Sequence, residues 1–105
     1  AGAAYVTATR SGRAGIGGPT PVRLFAIDYG FFEGVDPTKL GVAKASVQAS
    51  KGTVKNVVVI ANPETGGMRL SFELDPQNET LIELTAALAF EAGQTAETWA
   101  FRWTA

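Results

Sequence analysis

Glu73 and Asp75 are the first residues in this 105-residue chain whose type and spacing could do chemistry. Hydrolysis of a glycosidic bond uses two carboxyl groups, roughly 5–10 Å apart across the bond. Two positions along a strand are separated by roughly 7 Å, so the pair passes on distance. Both residues, however, lie on the polar face of an alternating segment, where a carboxylate is simply solvated. No catalytic residue is assigned. A second candidate is the Gly-rich stretch SGRAGIGGP at residues 11–19. Successive backbone N–H groups in such a loop can cradle phosphate. Here Gly18 runs into Pro19 instead of the Lys and Ser or Thr of a P-loop, and the pair Gly15, Gly17 leads to Thr20 instead of a third glycine. The stretch therefore reads as a linker. Its arginines, Arg10 and Arg13, are candidate contacts to a neighbouring domain or a polar ligand.

Three further positions are candidate contacts. Asp28 lies opposite Phe25 and Ile27, near the end of its segment, and polar residues flanking loops carry function more often than core residues do. Phe31 and Phe32 fall in a loop, where apolar exposure marks an interface. Trp99, Phe101 and Trp103 alternate along the last segment and could stack on sugar rings, whose apolar faces suit an aromatic. Alternation instead directs Trp99 and Phe101 to a core. Trp103, at the end of the segment, is the one placed to meet a partner domain or ligand.

Composition removes whole classes of chemistry. The chain has no cysteine and no histidine, so zinc sites built from Cys and His, and Ser-His-Asp or Cys-His nucleophiles, are excluded within it. No metal site or cofactor is expected. The net charge is −1 with no block of like charge, which gives nucleic acid and anionic membranes no electrostatic handle. No stretch approaches the ~20 apolar residues that span a bilayer, so membrane insertion is not expected. The chain opens AGAAYVTATR without an initiator Met. That suggests a domain cut from a larger precursor, with any targeting signal upstream.

The elements that would position these residues are strands. Residues 4–9 read as a short β segment, and Gly12 to Pro21 break regular structure. Residues 22–29 place Phe25, Ile27 and Tyr29 on one face. Residues 42–49 alternate Ala43, Ala45, Val47 and Ala49 against Lys44, Ser46 and Gln48, a strand with one wet face. Residues 53–61 are β-branched, and Val57-Val58-Val59-Ile60 suits burial on both faces. NPETGG at 62–67 turns the chain, its Gly pair permitting positive φ. Met68, Leu70, Phe72 and Leu74 then share a face. Residues 80–91 are ambiguous: Leu81, Leu84, Leu88 and Glu91 fit a helical period. The uniformly apolar even-numbered face, from Ile82 to Phe90, favours a strand. The sum is about seven short antiparallel strands joined by turns, the pattern of an all-β, immunoglobulin-like sandwich without its disulfide. Residues 1–21 are expected to be an interdomain linker with a short β segment, and residues 22–105 the sandwich domain.

Four stretches, ATRSGRAGIGGP, RLFAIDYGF, NPETGGMRLSFEL and AETWAFRWTA, occur in this order and cover nearly the whole chain. Together they resemble the carboxy-terminal portion of the MdoG/MdoD (OpgG/OpgD) family of periplasmic glucan biosynthesis proteins. Two positions depart from the family pattern: Met68 stands where an aromatic, commonly Trp, is expected, and Phe101 replaces a Tyr. The resemblance implies a Gram-negative periplasmic location and a role in making osmoregulated periplasmic glucans, which are β-linked glucose oligomers. It also implies that this chain is the smaller, accessory sandwich. A larger amino-terminal domain of the same protein would carry glucan binding or processing, and residues 10–19 match the connection between the two. No catalytic residue is carried over. β-Glucan is an implied ligand of the protein, and an autonomous carbohydrate-binding module is the alternative function.

Overall fold

The computed structural model describes residues 2–13, 21–62 and 64–105. Eight strands form within them: β1 (Gly2–Arg13), β2 (Arg23–Phe31), β3 (Ala43–Ala49), β4 (Thr53–Asn62), β5 (Gly67–Asp75), β6 (Leu81–Phe90), β7 (Thr95–Ala96) and β8 (Trp99–Thr104). Helix among the described residues is limited to a 3₁₀ turn at Pro37–Lys39. It is capped by Asp36, which accepts from the Thr38 backbone N–H at 3.0 Å.

Hydrogen bonding links the strands in the order β3-β6-β7-β1-β2-β5-β4, with β8 also paired to β6. The ladders are antiparallel except β1 with β7, which run parallel. β3 and β4, the two ends of this order, are joined by the short turn at 50–52 and touch, so the sheet curls nearly into a barrel. The result is an all-β, immunoglobulin-like sandwich, as the alternation implies. One layer is β1-β2-β5-β4 and the other is β3-β6-β8, with β7 bridging them.

The core follows the period of two. Phe25, Ile27 and Tyr29 of β2 and Leu70, Phe72 and Leu74 of β5 are buried. So are Ile82, Leu84, Ala86, Leu88 and Phe90 of β6, whose strict exposed–buried alternation resolves the helix–strand ambiguity as strand. Between the layers, Phe25 and Phe72 stack with centroids 5.1 Å apart, and both meet the edge of Trp99. Trp99 stacks in turn on Phe101 at 5.5 Å. Its indole N–H donates to the Thr9 hydroxyl at 3.0 Å, so a polar tip inside the sandwich finds a partner on the opposite layer.

The structure differs from the sequence reading in four places. β1 is longer than residues 4–9 and pairs with β2 as far as Arg13↔Arg23. Its far end has no apolar alternation to announce it. Backbone pairing to β2 holds it, and the following residues 14–20, with the rest of the Gly-rich stretch, lie outside the described residues. Residues 95–104 form two strands. At the break, Glu97 donates its backbone N–H to the Ala4 carbonyl at 2.8 Å and accepts from the Val6 N–H at 2.8 Å. The Val57–Ile60 run is not buried on both faces: Val57, Val58 and Ile60 are exposed. A bulge between Lys55 and Val58, with Asn56 at φ 56°, shifts the register, and among the described residues no further layer covers the outer side. Finally, the two glycines of the 62–67 turn do different jobs. Gly66 takes the positive φ, 76°, whereas Gly67 sits where a Cβ would collide with the Tyr29 carbonyl oxygen.

Tyr29 is 1% exposed, and its hydroxyl has no hydrogen-bond partner among the described residues. Burial, helped by the Glu97 carboxylate, pushes its pKa from 10.0 up to about 12. The folded state therefore holds this proton more tightly than the unfolded chain does. The associated stability is complete below about pH 10 and is lost as pH rises towards about 12. Tyr29→Phe should abolish that alkaline loss while changing stability at pH 7 by less than about 1 kcal/mol, because no hydrogen bond is broken. Urea midpoints at pH 7 and pH 11 check this. A large loss at pH 7 would mean that the hydroxyl has a partner.

Candidate functional site

The outer face of β2 and β5 carries a charge pair whose carboxylate is buried and whose guanidinium is partly exposed. Asp28 and Arg69 are directly opposite in the antiparallel ladder, and both side chains point away from the core. Arg69 donates through Nε to Asp28 Oδ1 at 2.7 Å and through Nη2 to Oδ2 at 3.2 Å. This two-pronged geometry suits a planar guanidinium. Although Asp28 lies on the outside of the sandwich, it is only 7% exposed. The Arg69 hydrogen bond holds the Asp28 carboxyl below the usual carboxylate range, against the opposing effect of burial. The charges of Arg69 and Arg10 and a hydrogen bond from Asn62 add to the lowering.

Asn62, itself 9% exposed, ends β4 beside this pair, and its Oδ1 accepts from the Glu64 N–H at 3.2 Å. Ile60, Ala61, Asn62, Glu64 and Arg69 line a cleft of about 170 Å³. The arrangement is a fixed, internally satisfied patch of charge on a sheet surface. It can orient a polar group presented to it. It offers no nucleophile, and its one perturbed carboxylate is acidified, the wrong direction for a general acid at neutral pH.

A depressed carboxylate pKa contributes stability that is complete above the ordinary Asp value and is lost as pH falls through the lower, folded value. Asp28→Asn should therefore flatten the acid limb of the stability–pH curve and leave stability at neutral pH reduced. A residual acid slope should remain from Asp36, which the Thr38 hydroxyl lowers in the same direction. Urea midpoints between pH 7 and pH 3 give the comparison. An unchanged acid limb would remove Asp28 from this account.

The structure brings together some of the sequence candidates and separates others. Arg10 and Asp28 share the outer face. Arg13 lies further along, opposite Arg23, where the end of the β1–β2 pair forms a shallow depression with Leu24 and Ala26. Phe31 does not lie in a loop, where the sequence reading puts it, but is the last residue of β2, held by pairing with Ala4; it is half-buried and packs against Phe90 at 6.1 Å. Phe32 is exposed and tilts against Tyr5 at 4.8 Å. Trp103 is 8% exposed, with the Arg23 guanidinium 5.9 Å above its ring. Trp99, Phe101 and Trp103 thus face inward rather than forming a sugar-stacking platform. Glu73 and Asp75 serve the local structure: Glu73 accepts from Asn56 Nδ2 at 2.7 Å, and Asp75 accepts from the Gln77 N–H at 3.1 Å. Arg69, Asn62 and Tyr5 escaped the sequence reading. Alternation puts Arg69 and Asp28 on polar faces, but only the register of β2 on β5 makes them partners.

Comparison with known proteins gives this geometry its context. The family model described as "Periplasmic glucan biosynthesis protein, MdoG" matches residues 1–103. Glucans biosynthesis protein G of Shewanella frigidimarina is 52% identical over 103 residues, which is 98% of this chain and 18% of that protein. The protein of the same name from a second Shewanella species is 48% identical over 99 residues, 94% of this chain and again 18% of the relative. Glucans biosynthesis protein G 1 of Shewanella oneidensis is 46% identical over the same length. The chain spans about a fifth of the length of these relatives. The order of motifs, the sandwich they build and a match over nearly every residue agree: this chain belongs to the MdoG family of periplasmic glucan biosynthesis proteins.

Proposed function

We propose that this chain is the accessory sandwich domain of a Gram-negative periplasmic protein required for osmoregulated, β-linked glucan biosynthesis. It packs on a larger domain of the same polypeptide, and that larger domain binds or processes the glucan. Residues 1–21 connect the two and contribute β1, while residues 22–105 supply the rest of the sandwich. The observation that carries this reading is the match in coverage: nearly all of this chain, but 18% of each relative. The bulk of the relatives' sequence is then the place for the glucan chemistry. Two structural facts agree. Trp99 and Trp103 point into the sandwich, and Asp28, Glu73 and Asp75 are each engaged in local hydrogen bonds. Titration of this chain into the separately expressed remainder of the full-length protein, followed by calorimetry, tests the reading. Saturable docking is expected. Absence of docking, together with full glucan synthesis by the remainder alone, would sink it.

A further inference from the structure

The two outer faces of the sandwich are chemically unlike. The β3-β6-β8 layer presents Lys44, Ser46 and Gln48 and an exposed Glu83–Arg102 ion pair at 2.8 Å, with Leu81 as an exposed apolar residue at its end. The β1-β2-β5-β4 layer presents Tyr5, Leu24, Phe32, Val58 and Ile60, all large, apolar and between 38% and 52% exposed. Register puts these on one surface. Ile60 is opposite Arg69 and Val58 opposite Ser71. Leu24 is opposite Glu73, and Tyr5 is opposite Gly30. These exposed apolar residues share the face with the Asp28–Arg69 pair, and apolar exposure gathered on one face marks an interaction surface.

We propose that the outer surface of β1, β2, β5 and β4 is the face on which the rest of the longer polypeptide packs. Ile60, Val58, Leu24, Tyr5 and Phe32 are its apolar contacts. This deepens, and rests on, the reading of the chain as an accessory domain. The centre of the face is built for close approach: Ala8, Ala26 and Ser71 have short side chains, and the ring of Tyr5 lies close to Gly30, where a Cβ would meet it at 3.2 Å. The Asp28 carboxylate is already paired with Arg69, so covering it leaves that charge compensated, while Glu73, which accepts from the Asn56 amide, and Arg10 are the charges a covering domain must meet.

The size fits as well. Strands spaced about 4.8 Å apart, with a rise of about 3.4 Å over the length on which β2 pairs with β5, give roughly 450 Å² per side. Both sides together fall within the roughly 600–1,500 Å² of interfaces between domains of one chain. β1 enters at the rim of this face, where Gly2 lies against the Phe32 ring. The occupant is the remainder of the protein, since relatives carry more than four times this length outside the matched segment.

Hydroxyl-radical footprinting of the full-length protein and of this chain alone tests the assignment. In the full-length protein, Tyr5, Phe32 and Ile60 should lose at least five-fold in reactivity relative to the isolated chain, while Leu81 on the opposite layer stays unchanged. Ile60→Lys in the full-length protein should restore the reactivity of Tyr5 and Phe32, whereas Ser46→Lys should not. Protection of Leu81 in place of Tyr5 and Phe32 would overturn the choice of face and leave the accessory-domain reading standing. Concentration-dependent protection in the isolated chain would assign the face to a second copy and overturn the proposal. No protection at any site would overturn the docking itself, and the accessory-domain reading with it.

Discussion

Gly67→Ala should cost about 3 kcal/mol of folding stability, at the upper end of overpacking penalties. Gly67 opens β5, is buried, and has no unusual φ. Its requirement for glycine is purely steric: a methyl group would land on the Tyr29 carbonyl oxygen, which is backbone in a paired central strand and cannot swing aside. Relief would need β5 to move off β2 and so disturb the ladder from Met68↔Tyr29 onward. That includes the Arg69–Asp28 pair one residue later. Its neighbour provides the control. Gly66 has φ 76° and open space around its Cβ position, so Gly66→Ala meets only the left-handed backbone penalty of about 1–2 kcal/mol. Urea denaturation of the two variants side by side should rank Gly67→Ala as the worse. Equal losses, or less than about 1 kcal/mol for Gly67→Ala, would show that β5 can shift freely. The Gly pair is therefore geometry rather than a ligand loop.

Trp99→Ala should cost about 4 kcal/mol, as large-to-small aromatic truncations in cores do. The indole is 5% exposed, takes the edges of Phe25 and Phe72, stacks on Phe101, and ties β8 to β1 through Thr9. Truncation removes aromatic contacts from both layers at once and leaves a cavity between them. Thr9→Val isolates the polar part: it keeps the shape but strands the indole N–H, which should cost about 1–3 kcal/mol. Thermal or urea unfolding measures both. The experiment also separates the two functional readings of the terminal aromatics. A carbohydrate module with Trp99 as its platform would lose sugar binding and little stability on Trp99→Ala. The buried arrangement requires the opposite outcome.

Side-chain alternation made most of the strands legible. Val47 between Ser46 and Gln48, or Leu84 between Glu83 and Thr85, specifies which way each residue points, because successive residues of a strand face opposite sides. Alternation works only where one side is dry and the other wet. It fell silent along the far end of β1, where residues 10–13 are held by pairing and not by burial. It misled along β4, where Val57, Val58 and Ile60 look like buried residues yet lie exposed, on a face that none of the described residues covers. A side chain's preference for burial says nothing about whether a covering layer is present.

The sequence by itself determined the fold class, the inward residues of β2, β5 and β6, the family resemblance, and the exclusion of Cys- and His-based chemistry. Each of these depends on local pattern or on residue type alone. Tertiary structure decided what depends on register and layering. It paired Asp28 with Arg69 from 41 residues away and Trp99 with Thr9 from 90 residues away. It also sent β7 to run parallel with β1, and it gathered Tyr5, Leu24, Phe32, Val58 and Ile60 onto one surface. The physical reason is that a strand carries its own alternation but not the identity of its neighbour. Pairing is selected by the summed burial of both faces across the whole sheet, a quantity no single segment holds.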